Sequence, residues 1–133
     1  MQIIYGFLAA GLTFTILDYV WLVKVMKGFY LEKLAPFIEI KDGSLVVNMY
    51  GAVVFYILAL FTTYWFVVRL ATDNTNAFLS GALLGFCMYA FYDFTNYATL
   101  KGYPLSLTII DTLWGTFLMG SVSLVMYYII NLK

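Results

Sequence analysis

Four stretches of this chain are apolar over lengths that few soluble helices reach: Ile3–Val23, Leu45–Val68, Ala77–Thr99 and Leu105–Asn131. About 20 mostly apolar residues are enough to cross the hydrocarbon layer as a helix. Lipid offers the backbone no water, so a spanning segment must be a helix or part of a closed barrel. Barrel strands alternate in polarity at every second residue, and these runs do not. The sequence therefore predicts an all-α membrane protein, a bundle of four transmembrane helices forming one domain over residues 1–133. The lipid bilayer is its first partner.

Composition narrows the chemistry. Only 11% of residues are charged, against about 25% in soluble domains. Seven basic residues balance seven acidic ones, which excludes electrostatic binding of nucleic acid. There is no histidine, and the single cysteine, Cys87, has no disulfide partner. Ser-His-Asp and Cys-His catalysis and ordinary zinc sites are thereby removed. Any metal would take oxygen ligands, which favours a divalent cation such as Mg. The first apolar run has no basic residues before it and contains Asp18, so it reads as a retained span, not a cleaved leader.

The punctuation between runs fits four helices. Asp42-Gly43-Ser44 is a turn with Ser44 as a candidate helix cap, and Asp73-Asn74-Thr75-Asn76 is a polar loop able to cap the third helix. Gly102-Tyr103-Pro104 stops the third helix and starts the fourth. Residues 24–40 differ, mixing Phe29, Tyr30, Leu31, Leu34 and Phe37 with five charges, and Pro36 should interrupt any helix there. This short interfacial segment reads as a linker on the membrane surface, the other reading being a helix that gates a site.

Lys24, Lys27, Lys33, Lys41 and Lys101 flank loops one and three, whereas Arg69 and Lys133 lie at the other side. The positive-inside rule then puts loops one and three in the cytoplasm and both termini outside, in a bacterial inner (plasma) membrane. Tyr5, Tyr64, Trp65, Tyr127 and Tyr128 form the aromatic belt of the opposite interface.

Three ionisable residues lie inside spans: Asp18, Asp93 and Asp111. Such residues are costly in lipid and mark function by default. No basic residue sits well inside a span to neutralise them. Counted from the nearest span ends at about 1.5 Å per residue, all three fall roughly 7–10 Å inside the same membrane face. Asp93 and Asp111 are each nine residues from Gly102, which puts them at matched depth on neighbouring helices. Asn48, early in the second run, is expected to complete the layer.

The faces agree. Gly81, Gly85, Tyr89, Asp93 and Asn96 form one stripe of the third helix. Gly81 and Gly85 permit close helix approach, and the expectation is that they join two copies in a homo-oligomer. A lone Asp near the interface could simply accept bonds from Tyr92, Thr95, Tyr97 or Thr108, or pair with Lys24 or Lys101. Three at one depth on packing faces form a site, one that must hold protons, a metal, a lysine or a cationic ligand. Leu17-Asp18-x-x-Trp21 also echoes Ile110-Asp111-x-x-Trp114 on a helix of opposite direction. The echo is either an inverted repeat or chance. Each tryptophan should sit beside its carboxylate and donate to a neighbour.

The run Tyr92-Asp93-Phe94-Thr95-Asn96-Tyr97-Ala98-Thr99-Leu100-Lys101-Gly102-Tyr103-Pro104, with Asp111-x-x-Trp114-Gly115 after it and Leu17-Asp18 to Trp21 before it, resembles a bacterial membrane family. That family is domain of unknown function 2177. Tryptophan is usual in it where Tyr103 stands here. The resemblance implies a small multi-helix inner-membrane protein and assigns no activity.

The expected binding residues are Asp18, Asp93, Asp111, Asn48, Asn96, Trp21, Trp114 and Tyr89, with Asp93 and Asp111 as ligands if a metal binds. The leading expectation is a cation, proton or cationic small ligand held at the carboxylate layer and linked to transport. The alternatives are a metal-dependent enzyme on a lipid substrate and a non-catalytic assembly subunit.

Overall fold

The computed structural model describes residues 1–132, so Lys133, counted above at the far side of the membrane, lies outside the described residues. Four helices are long and apolar enough to span a bilayer. The first is α1, Gln2–Tyr19, which continues through a wider π-helical turn to Val25. A short helix, α2 (Lys27–Leu34), and a two-stranded hairpin, β1 (Ile40–Lys41) and β2 (Ser44–Leu45), follow. Then come α3 (Met49–Thr62), with its own π turn to Val68, α4 (Asn74–Thr99) and α5 (Leu105–Ile130).

Local chemistry sets the boundaries. The α2 helix ends at Leu34, two residues before Pro36, whose ring would clash with the preceding turn. Asp42 and Gly43 both take positive φ, 51° and 68°, the backbone that closes a tight hairpin. That hairpin takes up Ser44 and Leu45, so the second span starts later than its apolar run suggests, and Ser44 caps nothing. Asn48 is the cap instead: its Oδ1 accepts from the N–H of Tyr50 at 3.1 Å and of Gly51 at 3.2 Å. At α4, Asp73 Oδ1 accepts from Asn76 N–H at 2.8 Å.

The most buried helix is α5. It packs along α4 on one side and α1 on another, and its Leu118, Met119, Val122 and Met126 meet Ala10 and Phe14 of α1 in the core. Close approach depends on missing side chains. A Cβ on Gly85 would overlap the carbonyl oxygen of Gly115, and one on Gly81 would overlap Ser123. The Gly81–Gly85 stripe is therefore packed against α5 of the same chain. The ends of α1 and α5 meet where Gln2 donates to the carbonyl of Leu132. A second apolar cluster, of Tyr30, Tyr103 and Leu107 with Trp21, Phe29, Leu34 and Phe37, ties α2 to the bundle end.

Candidate functional site

The α4–α5 turn delivers the first pair. Gly102 takes φ 78° in that turn, and the two helices leave it side by side. The carboxyl groups of Asp93 and Asp111 come within hydrogen-bonding reach of each other. Asp93 is fully buried. Its Oδ1 accepts from the Tyr103 hydroxyl at 3.1 Å, while its Oδ2 is buried without a protein donor. Asn96, one turn further along α4, stands beside the Tyr103 hydroxyl.

The α2 segment is a helix whose Tyr30 reaches into this network, so it is more than a surface linker. The Tyr30 hydroxyl donates to Asp111 Oδ1 at 2.5 Å and accepts from Trp21 Nε1 at 3.2 Å. Burial, reinforced by the charge of Asp111, pushes the Tyr30 hydroxyl well above its ordinary range. Burial and Asp93 do the same to Tyr103. Both phenols therefore remain proton donors at any physiological pH.

Asp18 forms the second half. Its Oδ1 accepts from Trp114 Nε1 at 3.0 Å, and its Oδ2 accepts from the Tyr56 hydroxyl of α3 at 3.1 Å. The indoles of Trp21 and Trp114 stack with centroids 4.5 Å apart. Each Asp-x-x-Trp unit therefore contributes a tryptophan to the other's carboxylate, directly for Asp18 and through Tyr30 for Asp111. The expectation was an indole beside its own carboxylate with its N–H on a neighbour, and the neighbours are Asp18 for Trp114 and Tyr30 for Trp21.

Asp18 and Asp111 both line a cavity of about 440 Å³ between the spans and beneath α2. Tyr89 lines it as well. Its ring occupies the space that a side chain on Gly115 would fill, and its hydroxyl makes no hydrogen bond among the described residues. Phe55 and Trp114 add aromatic wall, and Leu31, Leu34 and Leu107 add aliphatic surface. At the rim, Lys27 Nζ reaches Ser44 Oγ at 3.4 Å.

Seven of the eight expected residues thus gather at one end of the bundle: Asp18, Asp93, Asp111, Asn96, Trp21, Trp114 and Tyr89. Asn48 does not join them, because it is exposed and committed to the backbone of α3. The donors expected for the acids also differ. Thr108 bonds the carbonyl of Pro104, Tyr92 and Tyr97 are exposed, and Thr95 donates to no aspartate among the described residues. Lys24 lies over the ring of Tyr19, and the only ion pair among the described residues is Lys33–Glu32. The actual donors, Tyr30, Tyr56 and Tyr103, were not singled out as such. For Tyr56 a signal existed, since it is the only hydroxyl between Tyr50 and Thr62 in an otherwise apolar run.

No three acidic or thiol side chains converge on one point as a metal-holding group among the described residues, so any cation here would rest on the Asp93–Asp111 pair or on Asp18 with other oxygens. No curated protein and no solved structure matches the chain. Residues 3–128 match the family model described as predicted membrane protein, and the chain belongs to that DUF2177 family.

Proposed function

We propose that this integral membrane protein binds a proton or cation at its intramembrane carboxyl cluster and uses that binding to drive ligand binding or transport. One observation carries the reading: the Asp93 and Asp111 carboxyl groups lie together with no basic side chain paired to either among the described residues. Two carboxyl groups can bond to each other only with a proton between them, and a cation is the alternative neutraliser. Asp18, on the cavity wall, is the exchangeable partner of that buried pair. By the positive-inside rule the cluster faces the cytoplasm.

The test is infrared spectroscopy of the purified protein in lipid nanodiscs, following the C=O stretch of a protonated carboxyl group in D₂O and H₂O. A band in the wild type near neutral pH that Asp93→Asn removes supports a held proton. A band that vanishes on addition of Mg, with release of protons, moves the divalent-cation reading ahead. Absence of the band at neutral pH, with no response to any cation, overturns the proposal and leaves the cluster as packing glue. Proteoliposomes carrying a pH-sensitive dye then separate binding from transport.

A further inference from the structure

The cavity beneath α2 has a polarity pattern that specifies more than a bare ion. Its inner wall carries two carboxylates, Asp18 and Asp111, and the phenol of Tyr89, and its outer part is aliphatic, with Leu31 and Leu34 from α2 and Leu107 from α5. We propose that it binds a small amphiphile whose protonated amine head, carrying N–H donors, sits against Asp18 and Asp111 while its apolar body lies under α2. The inference rests on the reading of the carboxyl cluster as a binding site and adds the class of ligand.

Four observations support this occupant. The first is charge: the inner wall is acidic, and no basic side chain is paired with either acid among the described residues. Lys27, the one basic residue on the lining, stands at the rim with its amine on Ser44. The second is hydrogen-bond capacity. Two ionised carboxylates offer roughly eight acceptor sites. Besides the proton shared by Asp93 and Asp111, the protein donors to them are the hydroxyls of Tyr30 and Tyr56 and the indole of Trp114. What remains unfilled is acceptor capacity, which calls for a ligand that donates.

The third is the aromatic wall. Phe55, Tyr89 and Trp114 line the same space, and ring faces attract an ammonium group most strongly where water is excluded. The fourth is size. A cavity of about 440 Å³ falls within the range of roughly 300–1,000 Å³ that holds one drug-sized molecule. It is matched to a single short chain or ring system, not to a two-chain phospholipid.

The experiment uses the full chain in nanodiscs with Trp65→Phe, so that Trp21 and Trp114 report the cavity by fluorescence. Trp65 is exposed near the far end of the second span, stacked on Phe61, and takes no part in the site. Decylamine, decanol and decanoate are titrated as probes that share one tail. Decylamine should give a saturable change with affinity roughly tenfold or more above the other two, a difference of about 1.4 kcal/mol. Asp18→Asn and Asp111→Asn should each remove that preference, and Asp73→Asn should leave it intact.

Equal binding of decanol would reduce the site to an apolar hole, and tighter binding of decanoate would assign it to an anionic head at Lys27. Either result overturns the inference using the wild-type carboxylates alone, so a variant that folds poorly does not shelter it. The infrared band of the Asp93–Asp111 pair is read without any amine. If that band is present and decylamine fails, only the ligand class is wrong. If the band is missing and no cation gives a response, the parent reading fails independently.

Discussion

Trp21 and Trp114 lie face to face, 4.5 Å between ring centroids and 2° from parallel, yet their indole N–H groups go to different partners. Trp114 reaches Asp18 directly, and Trp21 reaches Asp111 through the Tyr30 hydroxyl. The stack contributes about 0.5–1.5 kcal/mol beyond its buried area. It also fixes the rotation of α1 against α5, which is what presents both carboxylates to one cavity.

A double-mutant cycle tests this exchange. Trp114→Phe and Asp18→Asn should couple by about 1 kcal/mol, within the range found for buried polar pairs in membrane helices. Trp21→Phe and Asp18→Asn should not couple beyond about 0.3 kcal/mol, since those side chains share no bond. The readout is reversible unfolding in mixed micelles. A larger coupling for Trp21 with Asp18 than for Trp114 with Asp18 would overturn the exchange.

The α4–α5 contact predicts an asymmetry among glycines. Gly85→Ala drives a methyl group into the backbone carbonyl of Gly115, which cannot move without parting the helices. Overpacking of this kind costs about 1–3 kcal/mol. Gly11→Ala meets only Leu60 Cδ1, at 3.5 Å, an ordinary contact. Thermal unfolding should fall clearly for Gly85→Ala and hardly for Gly11→Ala. If Gly85→Ala instead changed only the oligomeric state, the stripe would belong to an interface between copies after all.

The α4 cap gives a prediction in pH. The N–H of Asn76, bonded to Asp73, holds that carboxyl below its ordinary 3.8. A depressed folded value means stability that is present above the unfolded value and is lost as pH falls through the folded one. Wild-type protein should therefore lose stability below about pH 4, and Asp73→Asn, which keeps the cap without the charge, should lose less. Identical acid profiles for the two proteins would show that the cap does not report on unfolding.

Much of this was legible because it is local. A span needs only its own run of apolar residues, and all four fall within a few residues of the observed helices. The meeting of Asp93 with Asp111 followed from equal distances to Gly102. What was not legible depends on rotation and on distant chain. Asn48 looked like a member of the layer because the hairpin that delays α3 is set by two residues of positive φ, Asp42 and Gly43. Gly81 and Gly85 announced a close contact without naming α5 as the partner. Tyr30 arrives from a segment of mixed polarity, where no periodicity distinguishes a roof from a linker.

Tyr103 offers the sharpest separation of donor from bulk. Its ring is buried against Phe37, with centroids 5.4 Å apart, and its hydroxyl is a donor to Asp93. Tyr103→Phe keeps the ring and removes the donor, leaving Asp93 Oδ1 without its hydroxyl partner. An acceptor stripped of its partner in a buried site costs about 1–3 kcal/mol. Tyr103→Trp supplies an indole N–H in place of the hydroxyl and should recover much of the loss. The comparison is read twice, in unfolding and in the infrared band of the Asp93–Asp111 pair. Phe should shift that band and Trp should return it toward the wild-type position. If both variants destabilise equally and neither moves the band, Tyr103 contributes packing alone, and the Asp93 carboxyl is held by Asp111 without help from the α4–α5 turn.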